Sequence, residues 1–173
     1  MTRTISISGL LLLALSLSIH AQTPNVDRAL PKLLSLREQQ TVREAWLKKR
    51  LDTMLLPMMR QQKIEMWIVT NEEFHADPVT AHIAPPLPYV GRRDFFVFAD
   101  RGGNKLDRIA IVRYPEEHLK LFFEVLNPPG RDIATTLRRL VEERDPKAIA
   151  LNIGGMRGAT DGLTHEGYKF LTT

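Results

Sequence analysis

The spacing of apolar residues predicts two amphipathic helices. In the first, which begins at Leu36, apolar residues recur three or four positions apart with charged residues between them. Pro57 lacks a backbone N–H, so it should kink this helix or start a new turn. The second helix lies in "RDIATTLRRLVEERDP" and is closed by Pro146. Its apolar face consists of Ile133, Leu137, Leu140 and Val141.

Four shorter apolar runs, rich in bulky and β-branched residues, predict strands. Two of them flank "RGGNK", whose two glycines favour a turn, so we expect a β-hairpin there. A short helix is expected to open at Pro115, and Thr164 is placed to cap a final helix. This order of elements predicts an α/β fold in which a mixed β-sheet is flanked by helices. The predicted strands lie in "IEMWIVT", "RRDFFVFAD", "LDRIAIVRY" and "KAIALNI".

The N-terminus has the pattern of a cleavable export signal. Arg3 is followed by an apolar run from Ile5 to Ile19, and Ala21 fits the small residue before the cut. We therefore expect a secreted or periplasmic protein; an uncut N-terminal anchor is the alternative. The predicted divisions are a signal peptide at 1–21, a flexible lead-in at 22–35 and one domain at 36–173.

The composition is that of a globular chain. It has 173 residues, of which 43% are apolar and 25% charged, and no cysteine, so disulfides and a lipoprotein anchor are excluded. Loss of the leader removes one positive charge, so the net charge falls from +4 to 23 − 20 = +3. Basic and acidic residues alternate and form no basic stripe, so no nucleic-acid partner is expected. No membrane association is expected after signal cleavage, because no second apolar run is long enough to span a bilayer.

Common nucleophiles are scarce in the predicted domain and its lead-in. Ser35 is the only serine after residue 21, there is no cysteine, and no G-x-S-x-G motif occurs. A serine or cysteine hydrolase is therefore not expected.

The stretch "NEEFHADPV" holds four potential metal ligands in six positions, Glu72, Glu73, His75 and Asp77. A site would need them to converge, with the more distant His82 as a further candidate. The favoured interpretation is structural. Asn71 can cap a turn, the two glutamates suit a first helical turn, and an aspartate before proline commonly initiates a turn.

Two other segments could bind an anion. Arg92 and Arg93 precede a predicted strand and could hold a carboxylate or phosphate, although paired arginines more often form salt bridges. "GGMRG" follows a strand as phosphate loops do, but it lacks the Lys-Ser/Thr pair and the G-x-G-x-x-G spacing. A glycine-rich bend is the favoured interpretation of that segment.

The segment "LLPMMRQQKIEMWIVTNEEFHADPV" resembles the opening of the creatinase/prolidase-type N-terminal domain found in secreted bacterial Xaa-Pro aminopeptidases and dipeptidases. The resemblance extends over residues 36–172 through the order and spacing of segments rather than through one diagnostic motif. Further matching segments are Arg92-Arg93 before "VFAD", the strand ending at Arg113 and Tyr114, "ERDPKAIALNIG" and "TDGLTHEGY".

This resemblance implies a non-catalytic domain that shapes the substrate cleft and makes subunit contacts. It implies three partners: a C-terminal catalytic domain, a second copy of the chain and a peptide substrate. Two divalent metals such as manganese would be bound by that catalytic domain, so no cofactor is expected in this chain. The resemblance makes His75, Asp77, Arg92 and Arg93 candidates for an interface or a substrate cleft.

Three hypotheses follow from the sequence. In the first, the chain is the N-terminal part, or a truncated copy, of an exported Xaa-Pro metallopeptidase; the final helix, with little chain after it, is the reason to expect a following domain. In the second, it is a stand-alone periplasmic binding or dimerisation module with an exposed apolar surface. In the third and least favoured, the groups near residues 72–82 form an active site of their own.

Overall fold

A five-stranded mixed sheet lies at the centre of the domain, with the strand order β4-β3-β2-β1-β5. The computed structural model describes residues 33–86, 90–128, 132–156 and 161–173. The predicted signal peptide and most of the predicted lead-in lie outside these ranges. The strands are β1 Met66–Glu72, β2 Arg93–Asp100, β3 Leu106–Ile111, β4 Glu124–Leu126 and β5 Ile149–Leu151.

Helices cover both faces of the sheet, so the predicted α/β fold with a mixed sheet is confirmed. Along the described parts of the chain, no helix is both long enough and apolar enough to cross a membrane. The helices are α1 Leu36–Lys49, α2 Leu55–Gln61, α3 Thr80–Ile83, α4 Ile133–Arg144 and α5 His165–Thr172, with a 3-10 turn at Leu119–Leu121.

β2 is the middle strand, and its apolar run is continuous because both of its faces are covered. It pairs antiparallel with β1 and with β3. β5 then pairs parallel with β1, and β4 pairs parallel with β3. Residues 95–98 are fully buried, with Phe96 and Phe98 on one face of the sheet and Phe95 on the other.

Alternate residues of the strands face two separate apolar clusters. On one face, Phe96 and Phe98 pack with Leu47, Leu51 and Met59 of the α1–α2 segment. The opposite face packs against α4 and contains Phe95, Val97, Leu137 and Leu140. Ile133 and Val141 are partly buried against the second cluster, as the predicted apolar face of α4 requires.

The first helix begins and continues as its sequence predicts. The Ser35 hydroxyl accepts a hydrogen bond from the Glu38 N–H at 3.3 Å, and Glu38 Oε2 accepts one from the Ser35 N–H at 2.7 Å. This reciprocal pair satisfies free donors at the helix start. A π-helical stretch, Arg50–Met54, joins α1 to α2 just before Pro57. Such a stretch accommodates the hydrogen bond that proline cannot make.

The prediction that a helix opens at Pro115 is wrong. In its place the chain forms the 3-10 turn and then β4, a strand that the sequence did not predict. Leu119, Phe122 and Phe123 are buried and hold the turn against the α1–α2 face. β4 has only three residues at the sheet edge, so its pairing with β3, rather than a local pattern, decides its conformation.

Candidate functional site

The ligand-rich stretch after β1 forms a tight reversal. Asn71 and Glu72 belong to β1 itself, so the expected cap and helical turn at these residues are not formed. Glu72 and His75 exchange two backbone hydrogen bonds, of 3.0 and 3.3 Å, across Phe74, whose φ is +61°. Glu73 and His75 are exposed at this reversal.

Asp77 is instead buried, with 2% of its surface exposed. Its Oδ1 accepts a hydrogen bond from the Val79 N–H at 2.9 Å, and its carbonyl accepts one from the Thr80 N–H at 2.9 Å. An aspartate that binds the backbone two residues ahead forms a turn of its own, which here leads into α3. The turn predicted at Asp77-Pro78 is therefore present.

The other oxygen of Asp77 reaches a distant part of the chain. Asp77 Oδ2 accepts a hydrogen bond from Asn152 Nδ2 at 2.9 Å, and Asn152 Oδ1 accepts one from the indole Nε1 of Trp67 at 2.7 Å. Gly162 lies directly against the Asp77 carboxylate and leaves no room for a Cβ. We call Trp67, Asp77, Asn152 and Gly162 the Asp77 network.

The backbone of Asn152 extends this network to the segment before α5. Its carbonyl accepts hydrogen bonds from the N–H groups of Gly162 at 3.1 Å and Leu163 at 2.9 Å. Thr164 then caps α5, since its hydroxyl accepts a hydrogen bond from the Gly167 N–H at 2.9 Å. The network therefore joins β1, the turn into α3, the end of β5 and the start of α5.

The remaining candidates for metal ligands do not converge on Asp77. Glu72 is bound to Arg93, with 2.6 Å between Oε1 and the guanidinium. His82 is exposed on α3. No group of three or more His, Asp or Glu in the described ranges is arranged to hold a metal. The donor set at residues 72–82 therefore does not fit a bound metal.

Arg92 and Arg93, at the start of β2, have different roles. Arg93 is paired with Glu72, and its guanidinium carbon lies 5.2 Å from the ring centre of Phe170 in α5. Arg92 is exposed, has a φ of +68°, and forms no ion pair with any described residue. A left-handed φ is uncommon for arginine, and the Arg92 carbonyl is held by the Glu73 N–H at 3.0 Å.

Arg113 joins Arg92 and Arg93 in the lining of one cavity. The volume of this cavity is about 670 Å³, and its walls include Phe95, Asn127 and Phe170. Arg113 forms no ion pair with a described residue, and its guanidinium carbon lies 6.0 Å from the Tyr114 ring centre. A Cβ at Gly91 would clash with the Arg113 side chain. Gly91, just before a predicted strand, is the sequence feature that could have indicated this close contact with Arg113.

The glycine-rich bend after β5 holds an acidic side chain. Gly154 and Gly155 have φ values of +73° and +101°, which fits the favoured interpretation of "GGMRG" as a bend. The Gly154 N–H donates to Asp161 Oδ1 at 2.9 Å, so a carboxylate of the chain itself lies where a phosphate would bind. Residues 157–160, which complete this segment, lie outside the described ranges.

Asp94 is a second buried carboxyl group, also 2% exposed, and it has few partners. It is the cross-strand neighbour of Asn71 and accepts one long hydrogen bond, 3.3 Å, from the Arg113 N–H. Burial raises the pKa of Asp94 to about 6, and the single backbone hydrogen bond opposes this shift only weakly.

Comparisons with known proteins give little further guidance. No model of a known protein family and no curated protein matches the chain. A solved structure of an Xaa-Pro aminopeptidase from Streptococcus pyogenes is similar, with 13% sequence identity and a TM-score of 0.48. The similarity covers 75% of this chain and 84% of that chain. A likeness of this size assigns neither a family nor a function.

Replacing Gly162 by alanine should strongly destabilise the domain. The added Cβ would lie within the van der Waals envelope of the Asp77 carboxylate, so the network would have to open. We expect the free energy of unfolding to fall by about 2–4 kcal/mol, as measured by urea denaturation. Gly102→Ala is the matched control, because its Cβ would meet nothing within 4 Å although its φ is +76°. Its cost should be about 1 kcal/mol; equal costs would contradict crowding at Gly162.

Asp94 should make the domain less stable as pH rises from 4 to 7. The folded state binds the Asp94 proton more tightly than the unfolded chain, so the stability it contributes is complete below about pH 4. That contribution, on the order of 2–3 kcal/mol, is lost as pH rises through about 6. Urea titrations across this range should show that Asp94→Asn abolishes the loss and is more stable than the parent at pH 8.

Asp100→Asn provides a control with the opposite sign. A hydrogen bond from Arg60 lowers the pKa of Asp100, so its ionised form stabilises the fold and this contribution is lost as pH falls. This variant should therefore be less stable than the parent at pH 8. An unchanged pH dependence in Asp94→Asn would contradict the role given to Asp94.

Proposed function

We propose that the chain is a non-catalytic N-terminal domain of an exported Xaa-Pro metallopeptidase of the creatinase/prolidase type. The main support for this proposal is the Asp77 network. Trp67, Asp77, Asn152 and Gly162 come from three separate segments that carry the sequence resemblance, and they contact one another in the fold. The segments that carry the resemblance therefore contact one another and together stabilise the fold.

The same network supports a non-catalytic role for the ligand-rich stretch. Asp77 is bound by Val79 and Asn152, and Glu72 is bound by Arg93. A general base or metal ligand needs an accessible lone pair, and both carboxylates are already engaged. In the proposed parent enzyme, metals bound by the catalytic domain would activate the water that hydrolyses the peptide bond before proline.

The proposed contribution of this domain is a contact surface at one end of the sheet. β1 and β5 run parallel, so Phe74, which follows β1, and Ile153 and Met156, which follow β5, lie at the same end. Phe74 and Met156 are fully exposed, and 48% of Ile153 is exposed. We call these three residues the apolar end. Exposed apolar side chains at one end of a sheet favour contact with another protein surface.

Arg92 also lies at this end, because β2 begins where the antiparallel β1 finishes. With Arg113 it gives the cavity beside the apolar end a positive charge that no described carboxylate neutralises. His75 is exposed at the neighbouring reversal. We propose this region as the part that borders the substrate cleft or contacts a second subunit. Asp77, by contrast, would serve only to hold the fold.

A stand-alone periplasmic module for binding or dimerisation is the second candidate. It is favoured by the same apolar end, which would then bind a second copy of the chain. The two proposals share an export step and differ in the size of the product. In the native host, the intact mass of the exported product should greatly exceed that of residues 22–173 if a catalytic domain follows. A mass equal to that of residues 22–173 would favour the stand-alone module.

The contact surface can be tested by changing its polarity. Phe74→Ser combined with Met156→Ser should weaken association with the catalytic domain, or with a second copy, by roughly tenfold or more, because it removes two exposed apolar side chains. Sedimentation velocity over a concentration series measures this association. Met58→Ser on α2 is the matched control, since Met58 is 56% exposed near the opposite end of β1. Equal effects of the two changes would contradict a specific surface.

The full chain alone should neither bind manganese tightly nor cleave an Xaa-Pro peptide. Calorimetry with manganese chloride and a peptide-cleavage assay with added metal measure the two properties. Metal-dependent turnover by this chain would overturn the non-catalytic role and support an active site near residues 72–82.

A further inference from the structure

The cavity of about 670 Å³ at the start of β2, which we call the Arg92 cavity, is lined by charged side chains of one sign. These side chains are Arg92, Arg93 and Arg113, and none of the described residues of the lining is acidic. The chain segments next to this lining that lie outside the described ranges are 87–89 and 129–131, and they contain no Asp or Glu. The Arg92 cavity is therefore a positively charged space of a size that suits a small molecule.

The three arginines of the Arg92 cavity differ in whether their charge is balanced. Arg93 is paired with Glu72, whereas Arg92 and Arg113 are exposed and form no ion pair with a described residue. The carboxyl group of Asp94 accepts its hydrogen bond from the backbone N–H of Arg113 and not from the guanidinium. Two unpaired cations that border one space repel each other, and an anion bound between them removes that repulsion.

The backbone conformation of Arg92 is a second sign of a binding role. Its φ of +68° lies in the left-handed region, which glycine adopts without steric cost and arginine does not. Two hydrogen bonds hold this conformation: the Arg92 N–H donates to the Val90 carbonyl at 3.2 Å, and the Glu73 N–H donates to the Arg92 carbonyl at 3.0 Å. Strained residues that a fold retains are concentrated at functional sites. An arginine where glycine would fit better therefore indicates a use for its side chain.

A close backbone contact brings Arg113 to the same cavity. A Cβ added to Gly91 would lie 2.5 Å from Arg113 Cβ and 2.7 Å from Arg113 Cδ. The stem of Arg113 therefore lies directly against the residue that precedes Arg92. Each guanidinium is a planar group with several N–H donors, and it binds a carboxylate through paired, charge-assisted hydrogen bonds. Two such groups from separate segments make a carboxylate the preferred anion for this space.

An accessible aromatic ring forms an apolar wall of the Arg92 cavity. Phe170 of α5 is 38% exposed, and Ile133 at the start of α4 is half-buried in the same lining. The Phe170 ring is held between Arg93, whose guanidinium carbon is 5.2 Å from the ring centre, and Phe95, whose ring centre is 5.7 Å away. A ring fixed in this way offers a flat apolar surface. The lining therefore favours an anion with an apolar group over a bare inorganic anion.

We propose that the Arg92 cavity binds a carboxylate attached to an apolar group, with the carboxylate between Arg92 and Arg113 and the apolar group against Phe170 and Ile133. The carboxylate belongs either to a free acid or to the C-terminal residue of a peptide. This proposal names a ligand for part of the region proposed above as a contact surface, but it does not rest on a peptidase role. A failure to bind carboxylates would leave the product-mass and association experiments unaffected.

The test is a titration of the full chain with 3-phenylpropionate at about pH 7.5, where a carboxylic acid is ionised. Saturable ¹⁵N chemical shifts should appear at Arg92, Arg113 and Phe170, with a dissociation constant of about 1 mM or lower. The amide 3-phenylpropanamide has the same shape without the charge and should bind about tenfold more weakly. Acetate, which lacks the apolar group, should also bind more weakly than 3-phenylpropionate.

A peptide probe distinguishes the two sources of the carboxylate. N-acetyl-alanyl-phenylalanine carries a similar end group on a peptide backbone. Tighter binding of this peptide than of 3-phenylpropionate would support the C-terminus of a peptide as the ligand. Weaker but saturable binding at the same residues would support a free acid.

Two variants separate binding from folding. Arg113→Gln should weaken binding of 3-phenylpropionate about tenfold, because it removes one charged contact. Arg92→Gly should weaken binding to a similar extent while the Tm stays the same or rises, because glycine adopts a φ of +68° without strain. Arg37→Gln is the matched control, since Arg37 is an exposed arginine of α1 outside the lining of this cavity. Its affinity should equal that of the parent.

Three results would overturn the proposal. One is the absence of saturable shifts up to a 3-phenylpropionate concentration of about 10 mM, which corresponds to negligible affinity. Another is equal affinity for the acid and its amide. The third is unchanged binding in both Arg92→Gly and Arg113→Gln.

Discussion

The fold depends on one side-chain amide, that of Asn152, placed between an indole and a carboxylate. It accepts from Trp67 and donates to Asp77, so both ends of the amide are used. An aspartate at this position would repel Asp77, and a leucine would leave the indole and the carboxylate without partners. Since Asn152 also binds the segment before α5 through its carbonyl, four parts of the chain are positioned by this residue.

Asp77 and Asp94 are equally buried, but they have different roles because their hydrogen-bond partners differ. Asp77 has a backbone donor for one carboxylate oxygen and a side-chain amide for the other. Asp94 is equally buried but has one long hydrogen bond, and burial raises its pKa. The first group stabilises the turn that it begins. The second reduces the stability of the fold when it ionises.

Much of the fold could be predicted from the sequence because its elements have strong local patterns. The spacing of apolar residues predicted α1 and α4, and Thr164 was predicted to cap the start of α5. β4 was missed because three residues carry too little pattern, and its conformation comes from pairing with β3. A short helix was expected to open at Pro115, but the buried Leu119 and Phe122 favour a tighter turn.

The candidate site was less predictable, because its contacts join residues far apart in the chain. The turn at Asp77 is local and was predicted, whereas its partner Asn152 is 75 residues away. Arg92 and Arg93 are adjacent and were treated as a pair. The cross-strand Glu72 binds Arg93, which leaves Arg92 beside Arg113. Asn71 was expected to cap a turn, and no sequence signal indicated that its amide would be buried beside a cavity.

The parallel pairing of β1 with β5 has a consequence for the order in which this chain can assemble during synthesis. The β2–β3 hairpin and the β1–β2 pairing involve nearby segments and can form early. Trp67 and Asn152 are 85 residues apart, so the Asp77 network closes only after the chain has emerged beyond Gly162. Until then one edge of β1 has unpaired backbone groups, which can pair with other chains. A nascent chain therefore stays prone to aggregation until the segment around Gly162 has emerged.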